Sequence, residues 1–179
     1  MPIISICSQI FKAQDHGSFE RCLTMKVSNF EFLLANLLAQ LPVLIFHTTS
    51  IFIVTFVVTE NTLLGSWMDV FALFLLTGLM GVFLGAVIAV IGKTETTMMA
   101  ISLGVFFTLL FLCSILWPIE GSPKLLQHIS KLLPLTRPTS SLRSILFRGW
   151  TLWHPQVSGG LFTLIIWIVV CCILLAFAC

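Results

Sequence analysis

Apolar residues in this chain fall into long runs separated by short polar joints, with no alternating pattern of the kind that marks half-buried strands. A helix rises about 1.5 Å per residue, so about 20 apolar residues cross the hydrocarbon core of a bilayer. Four runs reach or approach that length: 30–58, 70–91, 98–117 and 161–178. The pattern predicts an all-α protein of polytopic membrane helices with about four spans. The first run exceeds a core of about 30 Å, so it must tilt, kink at Pro42 or protrude into water. Gln40, Pro42 and His47 interrupt it; Ser28 or Asn29 can cap its start, and Glu31 sits favourably against the helix dipole.

The joints set the order. Residues 59–62 form a short connection, so the second span returns antiparallel to the first. That span carries Gly78, Gly81 and Gly85 at spacings of three and four, which either lets a neighbouring helix approach closely or reflects the general frequency of glycine in membrane helices. Gly92-Lys93-Thr94-Glu95 reads as a tight polar turn. Pro118 stops the third span, and Gly159-Gly160 precedes the fourth.

Between the last two spans, residues 118–157 read as two short amphipathic helices. Ser122 and Pro123 suit a helix start, and Leu125, Leu126, Ile129, Leu132 and Leu133 line one face after them. Beyond Pro134 and Pro138, Leu142, Ile145 and Leu146 form a second apolar face beside Arg143 and Arg148. The expected arrangement is a re-entrant helical hairpin in the membrane interface.

Composition agrees. Charged residues make up 9% of the chain and hydrophobic ones 58%, with a mean hydropathy of +1.10. Soluble domains carry about 25% charged residues, so this chain could not present a wetted surface all round. The net charge of +2, without a basic stripe, gives no reason to expect a nucleic-acid partner. Four cations lie on one side of the spans and five on the other, so charge does not settle orientation. Cys113, Cys171 and Cys172 fall in apolar runs and Cys179 ends the chain, which is no disulfide pattern. The first eleven residues lack the basic start of a secretory signal.

Catalytic chemistry has no foothold in the pattern. Gly92-Lys93-Thr94 suggests a phosphate-binding loop, but that loop needs glycine five residues earlier, where Val87 stands. His16, His47, His128 and His154 lack metal-ligand spacing, and no Ser/His/Asp order appears. No catalytic, cofactor or metal residues are expected. Span interiors carry no Asp, Glu, Lys or Arg, Asp69 standing at the edge of the second, which suits an apolar or amphipathic substrate.

Several motifs then converge. Trp117-Pro118-Ile119-Glu120-Gly121, Ile129-Ser130, Leu133-Pro134-Leu135-Thr136, Leu142-Arg143 and Arg148-Gly149-Trp150 occur in this order before the last span, with Phe19-Glu20-Arg21 near the start. The chain resembles, over about residues 17–178, the membrane half of ABC exporters with the type-2 permease fold, of the G and H subfamilies of arthropods. The resemblance implies that residues 1–29 are a cytosolic coupling segment and 30–178 part of a type-2 permease domain, the third to sixth helices of six. It places 1–28 and 93–96 in the cytosol, and 60–69 and the re-entrant segment 118–157 outside. The first two helices and an ATP-binding domain, with its ATP and Mg, would lie elsewhere, making this chain a C-terminal fragment, a partial gene model or a degenerate copy.

Carried over residue by residue, Glu20, Arg21, Leu23, Thr24, Lys93 and Glu95 would couple to the ATPase. Pro118, Glu120, Gly121, Pro123, Pro134, Arg143, Arg148 and Gly149 would form the re-entrant gate. Phe46, Phe52, Phe56, Phe106 and Phe107 would line a substrate path, or equally face lipid. Thr24-Met25-Lys26, Ser122 and Arg137-Pro138 depart from the family pattern. The expected function is ATP-driven export of lipids or other hydrophobic compounds, in the plasma membrane. The expected partners are the bilayer, an ABC nucleotide-binding domain, a second permease half (the same or a different chain) and a hydrophobic substrate. The alternative from another class is a truncated, non-transporting scaffold that partners a full-length permease.

Overall fold

The computed structural model describes residues 29–58, 64–92, 94–113 and 132–178, together with Lys124, Gln127 and Ser130, and among these every regular element is helical. We label the helices α1 (Asn29–Ile53), α2 (Trp67–Ile91), α3 (Glu95–Leu112), α4 (Thr136–Arg148) and α5 (Pro155–Ala178). Three stretches are long and apolar enough to cross a membrane: Leu34–Val57, Trp67–Ile91 and Pro155–Phe177. The third expected span appears as a shorter apolar helix, Thr96–Leu112, with Cys113 in a turn; residues 114–117 lie outside the described residues.

α1 runs through Pro42 as one helix and widens into a π-helical turn at Val54–Val58. Proline removes one backbone donor from the ladder. Beyond it, the hydroxyls of Thr49 and Ser50 donate back to the Ile45 and Phe46 carbonyls, at 2.8 and 2.9 Å. Such internal bonds matter where no water reaches the chain. Where the turn between α2 and α3 was expected, Gly92 ends α2 and the Thr94 hydroxyl caps α3 by accepting the Thr97 N–H at 3.3 Å; Lys93 lies outside the described residues.

α5 packs most extensively on α2 and α4, and α1 packs on α2. Two apolar cores result. One gathers Leu44, Val82, Ala86, Ile88, Ala89, Met98 and Leu175, near the end where α2 turns into α3. The other gathers Phe56, Val70, Leu73, Ile145 and Val157 at the opposite end. The glycines of α2 serve packing: Gly78 lies against Leu44 of α1, and Gly81 and Gly85 are buried. Without water to drive association, such close fit is what holds membrane helices together.

Two helix starts differ from the local pattern. α4 begins at Thr136, ahead of Pro138, because the first turn of a helix needs no donor from its third residue. α5 begins at Pro155 and passes straight through Gly159-Gly160. These glycines do not break the helix; they let α4 approach it. The Ser141 hydroxyl lies 3.1 Å from the Gln156 carbonyl and 3.3 Å from that of Val157, able to donate to either. A Cβ at Gly160 would collide with the Ser141 side chain and come within 3.2 Å of the Arg137 carbonyl.

This contact is testable with a pair of substitutions. Gly160→Val should lower stability by about 1–3 kcal/mol through overpacking. Gly104→Val, where a Cβ would meet nothing within 4 Å, should change it by less than about 0.5 kcal/mol. Denaturation in detergent reports both.

Candidate functional site at the α1–α2–α4–α5 junction

The expected gate segment owes its position to α4. Along this helix Pro138, Ser141 and Ile145 are buried and Leu142 and Leu146 half-buried, whereas Arg137, Ser140, Arg143, Phe147 and Arg148 are exposed. Turns of 3.6 residues put the first set on one face, toward α5 and α2. The C-terminus is closed by Gly149, whose φ of 66° lies in the left-handed region that other residues seldom adopt, and whose N–H donates to the Ile145 carbonyl at 3.2 Å. Gly149 also sits under the Leu64 carbonyl, 3.0 Å from where a Cβ would stand.

Two bonds tie α4 and the turn after it to the bundle. The Leu64 N–H donates to the Leu146 carbonyl at 3.4 Å. The Leu152 N–H donates to Asp69 Oδ2 at 3.2 Å, joining the first turn of α2 to a residue 83 positions later. Asp69 also stands where negative charge favours a helix N-terminus. Ahead of α4, the Trp167 indole of α5 donates to the Leu132 carbonyl at 3.2 Å, and the Thr136 hydroxyl to the Ser130 carbonyl at 2.5 Å.

Aromatic rings fill the space between α1 and α2. Phe52 and Phe56 lie 4.8 Å apart, Trp67 meets Phe56 edge-on at 4.9 Å, and Phe71 meets Phe52 edge-on at 5.8 Å. Beside them, Trp150 packs on the same core. Its ring stacks on His154 at 3.9 Å and 17° and carries the Arg148 guanidinium at 4.9 Å. A groove of about 500 Å³ opens along the exposed face of α4, lined by Arg143, Ser144, Phe147, Arg148 and Gln156. A second groove of about 340 Å³, lined by Leu34, Leu38, Phe83, Cys172 and other apolar residues, lies between α1, α2 and α5.

The expected site residues separate accordingly. Of the gate set, Pro134 is buried, and Arg143, Arg148 and Gly149 lie together on α4 and its end; Pro118, Glu120, Gly121 and Pro123 lie outside the described residues. Of the coupling set, Glu95 begins α3, and Glu20, Arg21, Leu23, Thr24 and Lys93 lie outside. The phenylalanines do not share one setting. Phe52 and Phe56 pack in the junction, Phe46 is 75% exposed, and Phe106 and Phe107 contact each other on α3 at 5.6 Å. Among the described residues no three His, Cys, Asp or Glu gather as a metal would need. The Asp69–Leu152 and Trp167–Leu132 bonds went unforeseen, since each joins residues with no local pattern in common; a lone carboxylate at the edge of a span was the one available signal.

A model of the ABC-2 type transporter family matches residues 1–147, which include α1 to α3 and nearly all of α4. The chain belongs to the ABC-2 type transporter family. It is 26% identical over 167 residues to ABC transporter G family member 20 of Dictyostelium discoideum, across 93% of this chain and 23% of that protein. It is 23% identical over 158 residues to ABC transporter G family member 23 of the same organism, across 88% of this chain and 22% of that protein. The chain thus spans less than a quarter of the length of these relatives. No solved structure matches it. With its long apolar helices, this ABC-2 domain is an integral membrane domain.

Removing the Asp69 carboxylate should loosen the junction. Asp69→Ala leaves the half-buried Leu152 N–H without its acceptor and should cost about 1–3 kcal/mol, whereas Asp69→Asn keeps a carbonyl oxygen and should cost less. Thermal unfolding of the two variants in detergent, compared with wild type, gives that order.

Proposed function

We propose that this ABC-2 domain forms part of the membrane pathway of an ATP-driven exporter for lipids or other hydrophobic molecules, located in the plasma membrane. One observation carries the reading. In a chain of this family, the interiors of the described apolar helices hold no carboxylate, ammonium or guanidinium: Glu31 and Asp69 stand in the first turns of α1 and α2, and the arginines on α4. Ion-coupled pathways place charge within the membrane, whereas a hydrophobic cargo needs none.

In this reading, ATP is bound and hydrolysed by an ABC nucleotide-binding domain, and a second permease half completes the pathway. Residues 1–29 and the turn at 93–96 face that domain from the cytosol. Glu20, Arg21, Leu23, Thr24, Lys93 and Glu95 transmit its closure to α1 and α3. The loop ahead of α2 and the segment 118–157 face outside, where Pro118, Glu120, Gly121, Pro123, Pro134, Arg143, Arg148 and Gly149 govern release. Phe46 and Phe107 contact cargo along the exposed helix surfaces, while Phe52 and Phe56 hold the outer junction closed. The apolar character of the helix surfaces supports the cargo class, and the packed state of α4 supports a gate that moves as a unit.

Transport is measurable in inside-out vesicles carrying this chain with its ATP-binding partner domain. ATP-dependent uptake of a fluorescent phospholipid is expected. The double substitution Glu20→Ala/Arg21→Ala should cut it about tenfold, the size of an ordinary coupling energy, while co-purification of the partner persists. ATP hydrolysis without movement of any hydrophobic probe would contradict the export reading, and unchanged uptake in the double variant would contradict the coupling role.

A further inference from the structure

An apolar groove runs along the part of the bundle where α1 begins and α5 ends, and among the described residues it stands open on one side. Leu34, Leu38 and Leu41 form its α1 wall, Leu79 and Phe83 come from α2 and Cys172 from α5, around a space of about 340 Å³. The three leucines and Cys172 are exposed. From Leu34 to Leu41 the wall rises about 10 Å. Leu34 stands five residues into α1 and Cys172 six residues before the end of α5. The groove therefore opens within about 10 Å of both helix ends, in one leaflet.

The chain itself supplies a segment of matching chemistry. Residues 1–28 lead directly into α1 and lie outside the described residues. At 100° per residue, Ile3, Ile4, Ile6, Cys7, Ile10 and Phe11 fall on one arc of about 160°, and Ser5, Ser8 and Gln9 on an opposite arc of about 100°. No charged side chain interrupts this stretch, and Lys12 is the first. A segment so divided settles at the boundary between headgroups and acyl chains, about 5–10 Å into the membrane, with its polar arc turned to water. The groove opens at that depth. The 17 residues from Lys12 to Ser28 can extend over about 50 Å, enough to bring the segment to any part of the α1 wall.

Fit decides between this segment and lipid. Lipid gives apolar surfaces no drive to associate, so packing and the release of ordered acyl chains remain. A notch between leucines leaves its lining short of partner atoms wherever a flexible acyl chain fills it poorly. Ile3, Ile6 and Ile10 stand at spacings of three and four, and Leu34, Leu38 and Leu41 at four and three, so branched side chains can interleave over the same length. The covalent connection keeps the segment at high effective concentration beside the wall.

We propose that residues 3–11 seat their apolar arc in the groove between Leu34, Leu38, Phe83 and Cys172, closing it against lipid and bracing the start of α1 against the end of α5. Glu20, Arg21, Leu23 and Thr24 lie in the connection and stay at the membrane surface. The contact forms within one chain whether or not the domain moves cargo.

Cys7 on the apolar arc and Cys172 in the groove give a direct test. The full chain in lipid nanodiscs, carrying Cys22→Ser, Cys113→Ala, Cys171→Ala and Cys179→Ser, is treated with a short bis-maleimide and read by peptide mass spectrometry. A link between Cys7 and Cys172 is expected. Moving the second thiol to the adjacent exposed position, with Cys172→Ala and Ile173→Cys, should lower the yield about tenfold, a modest share of what proximity confers. No link at Cys172, or equal yields at the two positions, would overturn the proposal. Cys113 and Cys171 are buried, so a second measurement leaves them in place: labelling of Cys172 by a membrane-permeant maleimide. Ile6→Asp/Ile10→Asp should raise that labelling rate several-fold by unseating the segment. An unchanged rate would make an acyl chain the occupant, and would overturn the proposal also.

Discussion

Close approach of α4 to α5, made at Gly160, is the contact on which the α4 end of this domain depends. With no side chain at Gly160, the Ser141 hydroxyl can reach the carbonyls of the first turn of α5. That seating places Ile145 in the core with Phe56, Val70, Leu73 and Val157. From there the backbone links follow, Leu146 accepting from Leu64 and Asp69 accepting from Leu152. A short helix of mostly polar composition is thereby made part of a membrane bundle. The cause is geometric, because lipid gives apolar surfaces no reason of their own to associate and only fit and satisfied polar groups remain.

The two ends of the bundle are built differently. Around Leu44, Val82, Met98 and Leu175 the packing is aliphatic, and the chain reverses in a turn capped by Thr94. Around Phe56 and Ile145 it is aromatic, cross-linked by side chain to backbone bonds, and surfaced by arginine. The π-helical turn at Val54–Val58 joins α1 to the second of these ends, and such wide turns are common at functional positions.

Much of the architecture was legible in the order of residues. Apolar runs marked α1, α2, α3 and α5, since a membrane helix announces itself by length and composition alone. The turn at Gly92 to Glu95 and the apolar stripe of Leu142, Ile145 and Leu146 were equally plain, because both are local patterns. Gly159-Gly160 misled for a physical reason. Its value lies in what it permits across the α4–α5 contact, and a window along one strand of sequence contains only one side of that contact. Asp69 and Trp167 bond to backbone groups of distant residues, which carry no side-chain signature at all. The arginines of α4 were visible as candidates, but their gathering into one groove with Gln156 required the fold.

The central claim is that residues 132–158 form a packed part of the bundle. Hydrogen–deuterium exchange of the domain in lipid nanodiscs, read by mass spectrometry, tests it most directly. The account predicts slow exchange across α4 and at Leu152, approaching that of α2 and α5, since those amides are bonded and covered. Exchange across 136–152 as fast as in a solvated loop would contradict it.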